Sequence, residues 1–151
     1  MSSHEALSPV AIATGYRFYE YQPLPLSDQY IRQLILDPGQ GDEFLSGSLV
    51  TTNLVNAPEF EAISYVWGAR TRDRWIIVEG RQLPITASME DVLRQTRMPE
   101  KQRTLWADSI CINQEDNVEK GNQVSRMGEI YARSSRTLIC LGLHPQLRQF
   151  S

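Results

Sequence analysis

Residues 104–112 read TLWADSICI, residues 118–133 read VEKGNQVSRMGEIYAR, and residues 136–141 read RTLICL. The first and last are short apolar runs of strand length. The middle one sets Val124, Met127, Ile130 and Tyr131 three and four residues apart, the spacing of one helix face. Residues 138–141 are continuously apolar, as in a strand buried on both sides. A strand, a helix and a strand in this order imply a crossover, and a crossover makes the two strands parallel. Asn113 to Asn117 is the polar loop between the first strand and the helix.

Working outward, Ser88 to Arg97 reads as another helix. Ser88 stands as its N-cap with Asp91 three residues on, Met89, Val92 and Leu93 share a face, and Pro99 stops it. The chain before it is strand-rich. Ile31 to Leu36 is an apolar run ended by Asp37-Pro38-Gly39. Leu45 to Leu54 is a second strand, with Gly47 marking a bulge or break. Ala62 to Trp67 is a third, ended by Gly68. Trp75 to Val78 and Gln82 to Ile85 form a hairpin bent at Glu79, Gly80 and Arg81. The expected fold is therefore α/β: a parallel sheet flanked by helices, with an added N-terminal β-hairpin or small sheet. Residues 1–28 read as a flexible tail, which the aromatic cluster Tyr16, Phe18, Tyr19 and Tyr21 could pin to the core. Residues 29–151 read as the domain.

Bulk properties narrow the function. A chain of 151 residues suits one domain. A net charge of −3 gives no electrostatic footprint for nucleic acid or an anionic membrane. Cys111 and Cys140 sit in apolar runs without a C-x-x-C pair, and His4 and His144 lie in the flanks, so no metal site is expected. Two buried thiols fit a reducing compartment, and neither a signal peptide nor a membrane span is read. The expected setting is the cytoplasm.

Three segments together resemble the fungal heterokaryon-incompatibility (HET) domain: residues 60–68 (FEAISYVWG), residues 105–114 (LWADSICINQ), and Glu119, Gln123, Val124, Met127, Ile130 and Tyr131 leading to Leu138–Gly142. The lead-in from Tyr19 to Gly39 and the stretch Val78 to Thr86 also fit, so the resemblance runs from about residue 18 to 142. It implies a module of non-self recognition after fungal cell fusion and of the cell death that follows. HET domains are in turn distantly similar to Toll/interleukin-receptor (TIR) domains, which have a parallel sheet wrapped by helices and of which some cleave NAD. That analogy equates 63–65, 105–112 and 138–141 with the first three TIR strands. HET domains normally continue into an Arg-x-Trp-x-x-Gln-Glu segment, whose Glu matches the glutamate of TIR NAD cleavage. Nothing after Gly142 resembles it, so an incomplete HET domain, cut short at its C-terminal side, is expected.

The candidate residues each have two readings. Asp108, taken as mid-strand and on the same face as Trp106 and Ile110, is either a site residue near the C-terminal strand edge or a structural acid. Glu119 either faces a ligand or reaches back in a capping box with Asp116, the reading the spacing favours. These two are the catalytic candidates. Ser64, Tyr65, Trp67, Gly68, Asn113, Gln114 and Gln123 are the ligand-binding candidates. Ser64 lacks a G-x-S-x-G elbow, Trp67 is as readily a core or rim aromatic, and Gln123 could bond a loop. Gly39-Gln40-Gly41 lacks the third glycine of a dinucleotide loop and reads as a turn. Arg70, Arg72 and Arg74 read as a solvated loop.

Three expectations follow. The first is a signalling module acting through protein partners or self-association. The second is an enzyme cleaving the nicotinamide bond of NAD, with NAD as substrate and no resident cofactor. The third is an inactive or regulatory fragment whose strand edge after Leu141 is uncovered, giving poor solubility.

Overall fold

A computed structural model describes residues 15–27, 29–66, 68–140 and, as backbone, 147–150. The strands are β1 (Tyr30–Leu36), β2 (Ser46–Asn53), β3 (Glu61–Tyr65), β4 (Arg74–Val78), β5 (Arg81–Ile85), β6 (Arg103–Ala107), β7 (Arg136–Cys140) and β8 (Leu147–Phe150). The helices are α1 (Ala87–Thr96), α2 (Asp108–Cys111), α3 (Asn117–Ser125) and α4 (Met127–Arg133), with a 3-10 turn at Leu54–Asn56.

All eight strands join one sheet in the order β5-β4-β2-β1-β6-β3-β7-β8. The parallel block expected from the C-terminal half is present: β3 pairs in parallel with β6 on one side and β7 on the other. Their spatial order is second, first, third in the chain, as in doubly wound sheets. The strand-rich first half is added to one side of this block, within the same sheet. β1 pairs antiparallel with β6, β2 pairs antiparallel with β1, and the β4–β5 hairpin attaches in parallel through β2. The sheet is therefore mixed.

Alternation along β6 shows how the layers sit. Arg103 donates to the Thr96 carbonyl of α1, while Trp106, three residues on, meets the Tyr131 ring of α4 edge-on at 5.8 Å. Residues an odd number apart in a strand face opposite ways, so α1 and α4 cover opposite faces. Ile31, Leu34, Leu36, Ala62, Ile63, Leu105, Trp106 and Leu138 fill the core between them.

Gly47 is neither a bulge nor a break. It sits in regular register with Leu36 on one side and Val78 on the other. A Cβ there would lie 2.3 Å from the Ile35 carbonyl oxygen, so the glycine permits close backbone approach in the middle of the sheet. The hairpin bend is tight: Glu79 and Gly80 have φ of 52° and 81°, the two positive angles that a two-residue hairpin turn requires.

Several expected boundaries move. The strand expected over 104–112 stops at Ala107, and Asp108 opens a helical turn, so Trp106, Asp108 and Ile110 do not share a strand face. The helix expected over 118–133 is broken at Arg126 into α3 and α4. Ile130 is buried as expected, but Val124 is 51% exposed. The edge expected to be open after Leu141 is not open at β7, because β8 pairs along it antiparallel.

The N-cap of α1 is Thr86, not Ser88; its hydroxyl accepts from Met89 N at 3.1 Å. Thr86→Ala is expected to cost about 1 kcal/mol, read as a lowered denaturant midpoint with an unchanged slope. Ser88→Ala should leave the midpoint nearly where it is.

The aromatic segment before β1 does pin to the core. The backbone at Arg17 and Tyr19 bonds both sides of Gln82, and Tyr21 donates to the Ile110 carbonyl at 2.6 Å. Leu24 is buried. The Gly39-Gln40-Gly41 loop is a clamped turn. Arg94 and Arg97 donate to the carbonyls of Gly41, Glu43 and Phe44. Gly39 N donates to the Met98 carbonyl and Gln40 N to the Glu43 carboxylate, so these N–H groups are engaged within the protein rather than turned toward a phosphate.

Candidate functional site

Because β3, β6 and β7 are parallel, their C-terminal ends lie at one edge of the sheet, where open α/β sheets bind ligands. β3 ends at Tyr65. β6 ends at Ala107 and the chain turns straight into α2, with half-buried Asp108 as its first residue. The Tyr65 phenol donates to Ser109 Oγ at 2.7 Å. Arg72 Nη1 donates to the Ser109 and Pro84 carbonyls at 3.3 and 3.2 Å. Gln114 Nε2 donates to the Asp108 carbonyl at 2.9 Å. This network ties the hairpin, β3 and the loop after α2 to one point.

Burial, and then the Asp108 carboxylate, push the Tyr131 phenol up to about 12. The Tyr65 phenol is raised by burial first; the Ser109 hydrogen bond lowers it and Asp108 raises it. Complete burial pushes the Cys111 thiol up to about 12. These acids hold their protons more tightly folded than unfolded, where they titrate near 9.0 and 10.0. Their contribution to stability is thus full below pH 9 and is lost as pH climbs to 12. Denaturant midpoints measured from pH 8 to 12 are expected to fall across that window, and to fall less steeply in Tyr131→Phe. A midpoint level to pH 12 would contradict this protonation scheme.

Two cavities open at the edge. One, of about 220 Å³, is lined by Arg70, Asp108, Ile112, Gln114, Lys120 and Val124. The other, of about 290 Å³, is lined by Phe18, Tyr19, Tyr21, Arg72, Leu83, Pro84, Ser109, Asn113, Gln114 and Glu115. Gln114 belongs to both walls.

The structure brings together Tyr65, Asp108, Asn113 and Gln114, and gives Glu119, Gln123 and Ser64 partners within the fold. Glu119 is 3% exposed and clasped by Arg32, itself 2% exposed, at 2.6 and 2.8 Å. Its Oε2 also accepts from Asn113 N at 2.7 Å. Asp116 caps α3 as expected, accepting from Glu119 N, but the Glu119 carboxylate does not reach back to it. Arg32 further donates to the Cys111 and Gln22 carbonyls and lies 4.7 Å from the Tyr21 ring centre. Glu119 is therefore the buried counter-charge of a central arginine. Gln123 donates from Nε2 to the Tyr30 carbonyl at 2.8 Å, while its buried Oε1 has no partner among the described residues. Ser64 alternates with Tyr65 onto the other face, hydrogen-bonded with the Tyr131 phenol. Gly68 has φ +65°, a conformation that favours glycine, and Trp67 lies outside the described residues.

Arg72 and Arg74 are not simply solvated. Arg74 lies within β4 and pairs with Asp73 and Glu90. Residue-by-residue reading missed Arg72, Ser109 and the Phe18–Tyr21 wall. The aromatic cluster was the one visible sign of the last. Among the described residues, no group of three or more His, Cys, Asp or Glu could hold a metal ion, and no helix is long and apolar enough to cross a membrane.

Comparison with known proteins agrees with the motif reading. The profile of the heterokaryon incompatibility protein (HET) family matches residues 60–149, from just before β3 through most of β8. Heterokaryon incompatibility protein 6, OR allele, of Neurospora crassa is 36% identical over 140 residues, an alignment covering 82% of this chain and 21% of the relative. The chain thus spans well under two thirds of the relative it matches. No solved structure matches. The matched span holds β3, β6 and β7, the Asp108 turn and the cavity that Asp108 lines, and on that match the chain belongs to the HET family.

Proposed function

We propose that this chain serves, in the cytoplasm, as a HET module of fungal non-self recognition and of the cell death that follows, working through protein partners or self-association. The observation that carries this reading is the family match across the parallel block, supported by the name of the Neurospora relative, a heterokaryon incompatibility protein. The geometry agrees with a scaffold role: the Glu119 carboxylate and Gln123 Nε2 hold β1 to α3. Inducible expression in a fungal host, with viable colonies counted, tests it. Loss of viability that follows the amount of folded protein, and weakens in the destabilised Glu119→Ala variant, is expected. Normal growth with folded protein accumulating would overturn the reading.

A second reading has its own observation. Asp108 stands at the C-terminal strand edge beside two tyrosines and lines an open cavity. Under the TIR analogy such a carboxylate would act on the nicotinamide bond of NAD. Nicotinamide release from NAD that disappears in Asp108→Ala would support this reading. No release from folded protein at high concentration would end it.

A further inference from the structure

The larger edge cavity carries chemistry that neither reading uses. Its inner wall is the loop after α2, and its outer wall is the aromatic segment at Phe18 to Tyr21, which precedes the family match. Tyr19 and Tyr21 pack edge-on with ring centres 5.3 Å apart. Leu83 and Pro84 add apolar surface.

The polar groups in this wall are fixed in orientation by their own hydrogen bonds. Gln114 Nε2 faces the carbonyls of Asp108 and Ile112, so Oε1 is the atom left over, an acceptor. Asn113 Oδ1 accepts from Glu115 N, so Nδ2 is left over, a donor. Neither leftover atom has a hydrogen bond among the described residues. The lining carries one cation, Arg72, held by two carbonyls, and one anion, Glu115. That balance leaves no surplus charge for a phosphate.

We propose that this cavity binds one uncharged planar heterocycle with an adjacent donor and acceptor: a nucleobase, free or as its nucleoside. Every base presents such a pair on its edge and a π-face to an aromatic wall. The volume, about 290 Å³, lies at the bottom of the range of about 300–1,000 Å³ for small-molecule sites. It suits one ring system, with a sugar at the mouth, rather than a dinucleotide. The proposal is independent of the cell-death reading and of NAD cleavage.

The test is calorimetric titration of the whole chain with adenosine, guanosine, cytidine, uridine and NAD, each alone. At least one nucleoside is expected to bind with a sub-millimolar Kd. Phe18 is 44% exposed, so Phe18→Ala should keep the melting temperature and weaken binding about tenfold through lost stacking. Asn113→Asp keeps the oxygen that accepts from Glu115 N and removes the donor, so it too should weaken binding in a folded protein. Four silent nucleosides at millimolar concentration, with or without NAD binding, would overturn the proposal. So would affinity unchanged in both variants. Neither result would bear on viability in the fungal host.

Discussion

Replacing Glu119 with alanine is expected to destabilise the fold by about 3–5 kcal/mol, because it strands the Arg32 guanidinium in the interior. Arg32 is 2% exposed, and its other contacts are two carbonyls and a ring. None of these cancels a full charge. The backbone N–H of Asn113 loses its acceptor in the same stroke. At about 2–4 °C per kcal/mol for a chain this long, the melting temperature should drop by roughly 10 °C or more. Removing both charges is a different matter. A buried ion pair gains from attraction but loses hydration on both partners, so an apolar pair of similar volume often matches it. Arg32→Met with Glu119→Leu is therefore expected to recover most of the loss. A single-variant cost under about 1 kcal/mol would show that water reaches Arg32.

Trp106 is the second sensitive position. It is wholly buried, packs edge-on against Tyr131, and its indole N–H has no hydrogen-bond partner among the described residues. Trp106→Ala removes a large ring from between β6 and α4 and should cost about 3–5 kcal/mol. Trp106→Phe separates two effects. It loses contact area but also removes a buried unpaired donor, whose desolvation costs about 1–3 kcal/mol. The phenylalanine variant should therefore lie within roughly 1.5 kcal/mol of the natural protein. Chemical denaturation of the two variants checks this, and equal losses would mean that the N–H is satisfied in solution.

The parallel block was legible in the sequence because buried strands and an amphipathic helix write distinct periodicities. What misled the reading at 104–112 was that TLWADSICI is apolar on both sides of Asp108 and Ser109, and so short a run does not distinguish a strand from a strand followed by one helical turn. The break at Arg126 was hidden for a related reason. Ile130 and Tyr131 keep helical phase with Met127, yet Gly121 and Gly128 leave the helix face thin and Val124 turns to solvent. The addition of strands on one side was legible, but their pairing order was not. That order depends on β1 meeting β6, partners some seventy residues apart, and no local signal encodes that pairing. At the edge, Asp108 stood out in the sequence as a carboxylate inside an apolar run, and Asn113 and Gln114 as the polar end of the same motif; the structure sets all three at one edge of the sheet. Glu119 was misassigned because its counter-charge, Arg32, lies 87 residues away.

The placement of β1 and β2 has a consequence for how the family segment can be handled. The matched span begins at residue 60, after both strands, yet in space they lie between the β4–β5 hairpin and β6. A fragment beginning at residue 60 would not be a smaller domain with a trimmed front. It would be a sheet with its middle removed: β6 would lose a neighbour along Leu105, the hairpin would lose its attachment through Ser46 and Gly47, and Glu119 would face a space where Arg32 had been. The smallest autonomous unit is thus set by the strand that crosses from one half of the sheet to the other, and the recognisable segment is only the larger portion of it.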